Sequence, residues 1–187
     1  MQANLRDHIE KIVPLTVKEF EFVASHFTTR NFKKNEFLIQ KGESVHNVFF
    51  VISGLLKLVY DDESGKQHII SFAMEDWWES DFQAFHTQSK ATFSLDCIED
   101  TEVLCISFAD YQKLCDGLQK MERFLLEKAN AGHIASQQRI LLFLSSTAKE
   151  RYEYLLKKYP SLLQRIPKTL VASYLGISRE TLSRLSS

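Results

Sequence analysis

Residues 166–185 read Ile-Pro-Lys-Thr-Leu-Val-Ala-Ser-Tyr-Leu-Gly-Ile-Ser-Arg-Glu-Thr-Leu-Ser-Arg-Leu. Pro167 suits the first turn of a helix, where backbone N–H groups have no partner within the helix and a missing one costs nothing. Leu170, Val171, Tyr174 and Leu175 then share one face. Gly176 closes the helix at a position that takes left-handed backbone. Ser178 can cap a second helix with its hydroxyl. Glu180 falls in that helix's first turn, where negative charge is favoured. Two short helices joined by a tight Gly turn make a helix-turn-helix. Close crossing requires a small residue, and Ala172 is one. Val171, Leu175, Ile177, Leu182 and Leu185 supply the shared core.

The second helix, 178–185, has two faces. Leu182 and Leu185 point inward, while Glu180, Ser183 and Arg184 fall on the opposite arc with Arg179 at its flank. Such an arc carries the groups that read base edges. Arg donates two hydrogen bonds to guanine O6 and N7, and Glu accepts from cytosine N4. An exposed Glu180–Arg184 pair would also serve as a plain surface ion pair. The agreement of caps, turn Gly, small residue and apolar spacing favours DNA recognition.

Charge points the same way. Residues 137–187 hold nine Lys/Arg and three acids, a net of +6, whereas the other 136 residues carry −7. A polyanion-binding end is one reading, and chance segregation of solvated charge is the other.

Upstream the chain changes character. Of 14 Phe, 12 precede residue 110. Phe37–Ile39, Val48–Ile52, Leu56–Tyr60, His68–Phe72, Thr92–Leu95 and Glu102–Ile106 read as strands, rich in β-branched and aromatic residues. Asp61–Lys66 is a hairpin turn in which Gly65 can take positive φ. Evenly spaced strands with turns between them predict a sandwich or barrel.

At Ser107 the strands stop, and Ser107–Asp110 resembles a capping box. Leu114, Leu118, Met121 and Leu125 follow at heptad spacing. By periodicity alone, a helix packed on its own domain is the preferred reading of this stripe. A second amphipathic run spans Gln137–Tyr159 and ends at Pro160.

The composition is that of a soluble protein, 44% apolar and 25% charged. No run of apolar residues is long enough to span a membrane, and the charged N-terminus is no secretory signal. Cys97, Cys105 and Cys115 are scattered, which argues against a disulfide framework or a Cys-based metal site. A cytoplasmic protein is expected, with no metal and no assigned cofactor.

With these motifs in hand, the chain resembles the Crp/Fnr family, the cyclic-AMP receptor protein and its relatives. Gly42-Glu43, Phe50-Val51-Ile52-Ser53-Gly54 and the Asp-Glu-Ser-Gly-Lys hairpin look like the family's effector β-roll. Ile177-Ser178-Arg179-Glu180-Thr181-Leu182-Ser183-Arg184 is similar to its recognition helix. The resemblance implies an α+β chain in three parts: a jelly-roll effector domain over 1–109, a dimerisation helix over 110–136 and a helix-turn-helix domain over 137–187. It turns the stripe Leu114, Leu118, Met121 and Leu125 into a homodimer interface. Two recognition helices related by a two-fold would then read a palindrome with half-sites about 34 Å apart. Duplex DNA, a second copy and RNA polymerase are the implied partners.

Departures from the family pattern are equally specific. Relatives that bind cyclic AMP carry Gly-Glu and then, about ten residues later, Arg-Ser. Here Glu79-Ser80 stands where Gly-Glu is expected, and Lys90-Ala91-Thr92 where Arg-Ser is expected. Lys90 offers a charge without the bidentate fork of Arg. Glu75, Asp76, Glu79 and Asp81 add four acids that would repel a phosphate. The expectation is a chain that does not bind cyclic AMP in the family's manner. Trp77 and Trp78 are read as core or interface residues, with ligand stacking the alternative. Many relatives continue into a C-terminal wing, and these residues end at Ser187. Contacts to the DNA backbone are therefore expected from Lys168, Thr169 and Thr181.

Two other function classes remain open. A cupin-like enzyme would need His-x-His on a strand, and none occurs. A ligand-binding regulatory module of β-roll type without DNA binding is the principal alternative, and the helix-turn-helix argues against it.

Overall fold

The computed structural model describes residues 2–185. Helices α1 (Gln2–Glu10) and α2 (Val17–Ala24) lead into strands β1 (Thr28–Phe32), β2 (Phe37–Ile39), β3 (Asn47–Ser53), β4 (Leu56–Asp61), β5 (Gln67–Ala73) and β6 (Trp78–Glu79). Helix α3 (Phe82–Thr87) interrupts before β7 (Ser94–Cys97) and β8 (Thr101–Ser107). The rest is helical: α4 (Phe108–Gly117), α5 (Gln119–Ser145), α6 (Ala148–Lys158), α7 (Pro160–Arg165), α8 (Lys168–Leu175) and α9 (Arg179–Leu185).

The strands form two antiparallel sheets ordered β1-β8-β3-β6 and β2-β7-β4-β5, the expected β-roll of an α+β chain. Their facing sides make the first core, centred on Phe49, Val51, Leu56, Leu58, Leu95 and Val103. Outer faces are covered as well, which is why β3 is apolar almost throughout instead of alternating. On one sheet, Phe50 and Trp78 meet His8 of α1 and Phe124 of α5, with the His8 and Phe50 rings 4.9 Å apart. On the other sheet, Val59 and Ile69 join Leu155, Leu162, Ile166, Val171 and Leu175 in a second core. Leu58 and Val59 face opposite cores by the ordinary alternation of β4, and a bulge at Ile70 of β5 shifts the pairing beside them.

The six expected strands are present with small shifts at their ends. The expected single helix over 110–136 is instead two. Leu118 takes an extended conformation (φ −150°, ψ 96°) that ends α4, and α5 runs on to Ser145. The run Gln137–Tyr159 is also divided. Thr147 and Glu150 form a reciprocal capping box that starts α6 afresh. Among the described residues, no helix is long and apolar enough to cross a membrane.

Candidate nucleic-acid interface and effector cassette

Helices α8 and α9 cross as the sequence requires. Pro167 stands just before α8, one residue earlier than expected. Gly176 adopts φ 67° and its N–H reaches the carbonyls of Ala172 and Ser173. The Ile177 amide also donates to Ala172 O, completing the turn. Ala172, Val171, Leu175 and Leu182 are buried between the helices and the second core. The Ser178 hydroxyl accepts from the Thr181 amide at 3.1 Å and starts α9.

Arg179, Glu180, Ser183 and Arg184 are all exposed on α9, opposite buried Leu182. Its own backbone amide, together with Ser178, holds the Glu180 carboxyl below the usual range. Thr181 is half-buried and receives a hydrogen bond from Arg184 Nη2 at 3.4 Å. Lys168 and Thr169 are exposed at the start of α8. The expected DNA-reading residues thus lie on two consecutive helices that share one turn.

Glu79 and Asp81 organise the effector cassette. Glu79 is buried, accepting from the Ser71 hydroxyl at 2.6 Å and from the Ser80 amide at 3.1 Å. Burial pushes its carboxyl up to about 7. The Ser80 hydroxyl turns away and donates to Asn47 O at 2.9 Å. Asp81, also buried, accepts from three amides: Ala84 at 3.0 Å, Thr92 at 2.8 Å and Phe93 at 3.2 Å. Ala91 is buried, whereas Lys90 is exposed and reaches Ser44 at 3.3 Å.

Two arginines tie these parts together. Arg165, the last residue of α7, donates to Glu75 (2.7 and 3.0 Å), Glu99 (2.7 and 3.2 Å) and Gly54 O (2.9 Å). Arg139 of α5 donates to Ile69 O of β5 at 3.0 Å and Tyr174 O of α8 at 3.1 Å.

The pattern of the cyclic nucleotide-binding domain family matches residues 29–117. Transcriptional activator protein anr of Pseudomonas aeruginosa is 27% identical over 169 residues, covering 83% of this chain and 68% of the relative. The anaerobic regulatory protein of Haemophilus influenzae is 25% identical over 166 residues, covering 82% and 63%. FixK2 from Bradyrhizobium japonicum shares the fold with a TM-score of 0.76 at 18% identity, covering 86% of this chain and 82% of that one. The catabolite activator protein of Thermus thermophilus does so with a TM-score of 0.61 at 22% identity, covering 93% and 83%. The chain carries a cyclic nucleotide-binding domain, and these relatives support a regulator of the Crp/Fnr family.

The structure departs from the expected pattern in two places. The stripe expected at a dimer interface does not stand at the surface. Leu114 and Met121 are wholly buried in the first core, and Leu118 and Leu125 are half-buried against it. The break at Leu118 turns this stripe into the chain's own interior. The acids near the cassette are also less isolated than the local sequence suggests. Glu75 meets Arg165, and Asp76 lies 3.7 Å from Lys11. Trp77 and Trp78, expected as core or interface residues, both pack against the protein's own side chains. Trp78 sits with Phe50 and Phe124, while Trp77 packs edge-on against Tyr159 at 5.3 Å. Arg165 and Arg139 carry no local signal, because each acts on groups far away in sequence, whereas Asp81 is the N-cap of α3 and could have been read as one.

Proposed function

We propose that this protein is a homodimeric, sequence-specific DNA-binding regulator of transcription of the Crp/Fnr family that reads a palindromic operator through α9 and works without cyclic AMP. The observation that carries the reading is the exposed arc of Arg179, Glu180, Ser183 and Arg184 above buried Leu182. Two guanidinium groups and a carboxylate on one narrow helix match the donor and acceptor pattern of G·C edges in the major groove. Lys168, Thr169 and Thr181 are suited to phosphate contacts that fix the register.

Dimerisation is supported by a different stretch from the one expected. Leu126, Ile134, Ile140, Leu141 and Leu144 of α5 are exposed. At about 3.6 residues per turn they fall within one arc roughly 120° wide. A second copy of the same helix packed against it would cover this arc and set two α9 helices about a two-fold.

Cyclic-AMP independence is supported by Asp81. Its carboxylate already accepts from amides on both sides of the cassette. A phosphate drawn to the same amides would meet that charge and Glu79 in a region of low dielectric.

The test is a mobility shift on random duplex DNA at low salt, followed by competition with cyclic AMP present and absent. A salt-sensitive shift that cyclic AMP leaves unchanged is expected. Failure to shift any duplex would overturn the DNA reading, and a tenfold response to micromolar cyclic AMP would overturn its independence.

A further inference from the structure

Between β5, the middle of α5, α6 and α8 lies a cavity of about 160 Å³ that the DNA-reading arc and the effector cassette do not use. Six of its seventeen lining residues are aromatic: Phe72, Trp77, Phe143, Tyr154, Tyr159 and Tyr174. Three cations also line it: Arg139, Arg151 and Lys158. No Asp or Glu does, and among the described residues none of the three cations is in an ion pair.

Each cation is held by neutral groups. Arg139 donates to the carbonyls of Ile69 and Tyr174, and its guanidinium stacks 3.6 Å from the centre of the Tyr174 ring. Burial lowers its pKa. Arg151 gives one bond to Ser146 O at 2.8 Å and lies 5.0 Å from the Phe143 ring. Its Nε is buried without a hydrogen-bond partner. Lys158 donates to Tyr154 OH at 2.8 Å and Gln138 Oε1 at 3.0 Å. Arg139 and Arg151 are half-buried, and the orphaned Arg151 Nε makes that burial costly unless an anion compensates it.

We propose that this cavity binds a small organic anion, an aromatic carboxylate of one ring, with Arg151 and Lys158 meeting the carboxylate and the aromatic walls enclosing the ring. The size fits, since a cavity of about 150 Å³ lined by apolar groups accepts a benzene ring. The cationic lining disfavours a cation. Because the walls come from β5 and from α8, such a ligand touches the β-roll and the helix-turn-helix at once.

Calorimetric titration of the full chain with benzoate, benzyl alcohol and inorganic phosphate tests this without reference to DNA. Benzoate is expected to bind at least tenfold more tightly than benzyl alcohol, which has the ring but not the charge. Phosphate, which has the charge but no ring, is expected to bind more weakly still. Hydrogen bonds to charged groups are strong enough that K158Q or R151Q should each weaken benzoate roughly tenfold. The distant exposed variant K18Q should leave it unchanged. K158Q is the safer variant for folding, since Lys158 is exposed. Equal binding of benzoate and benzyl alcohol, indifference to K158Q in a folded protein, binding of phosphate alone, or no binding of benzoate at 10 mM on the order of weak-ligand limits would each overturn the proposal.

Discussion

Arg165 Nη1 donates to the Glu75 carboxylate at 2.7 Å, joining residues 90 positions apart and fixing the start of the helix-turn-helix to the β-roll. The same guanidinium holds Glu99 and the Gly54 carbonyl. Isolated surface ion pairs add little, but a bidentate guanidinium shared between two carboxylates is the favourable case. Arg165→Ala is expected to lower stability by about 1–2 kcal/mol. It should also loosen the second core, so that α6–α9 become protease-sensitive before the β-roll does. Calorimetry and limited proteolysis check this. An unchanged melting profile would show that the apolar contacts of Leu162 and Ile166 suffice.

Within the recognition helix the losses should differ by position. Arg179→Ala or Arg184→Ala should each cost about 1–3 kcal/mol of binding and relax the preference at one base pair per half-site. Lys168→Ala should weaken all sequences alike and reduce the salt dependence by about one counterion. Binding of each variant to a set of single-base operator changes separates the two behaviours.

Glu79 makes stability depend on pH. Its folded carboxyl titrates at about 7, above the ordinary value of 4.5, because burial disfavours the charge. A raised folded pKa means the native state binds the proton more tightly. Stability from this group is therefore full below pH 4.5 and is lost as pH rises to about 7. His8 acts in the opposite sense. Burial, with Lys128 nearby, lowers it to about 4, so its contribution is lost as pH falls below 6.5. Relative to the parent, Glu79→Gln should gain roughly 2–3 kcal/mol between pH 4.5 and 7. Chemical denaturation at a series of pH values measures that difference directly.

The exposed arc of α5 predicts the oligomeric state. Leu141 is 61% exposed and Leu144 81% exposed. Replacing Leu141 and Leu144 together by Glu should leave the folded monomer intact while halving the sedimenting mass. DNA affinity should fall on the order of 100-fold, as the second recognition helix is no longer tethered to the first. Replacing Leu114, which is buried in the first core, should instead unfold the β-roll region. A double Glu variant that still sediments as a dimer would place the interface elsewhere.

Much of this was legible locally. The strands from β2 to β5 follow apolar runs bounded by turn residues. Ser107 caps α4 through Asp110, and Gly176 turns α8 into α9. What escaped local reading has physical causes. Strand β1 is polar and mostly exposed because it lies at the edge of its sheet, paired with β8 alone. The heptad stripe at Leu114–Leu125 looks the same whether it faces a partner or its own core. Only the break at Leu118 decides, and an extended Leu carries no distinctive signal. Likewise Thr147-x-x-Glu150 was a readable capping box within a run that otherwise looked continuous. The Arg165 junction depends on Gly54, Glu75 and Glu99 arriving together, which no short stretch encodes.

Selection of bound fragments from random duplex DNA by the full chain tests the central claim most directly. An inverted repeat with half-sites separated by one helical turn, ~34 Å, should be recovered, and Arg179→Ala should lose one preferred base pair per half-site. Recovery of no common sequence, or of the same sequence with Arg179→Ala, would contradict it.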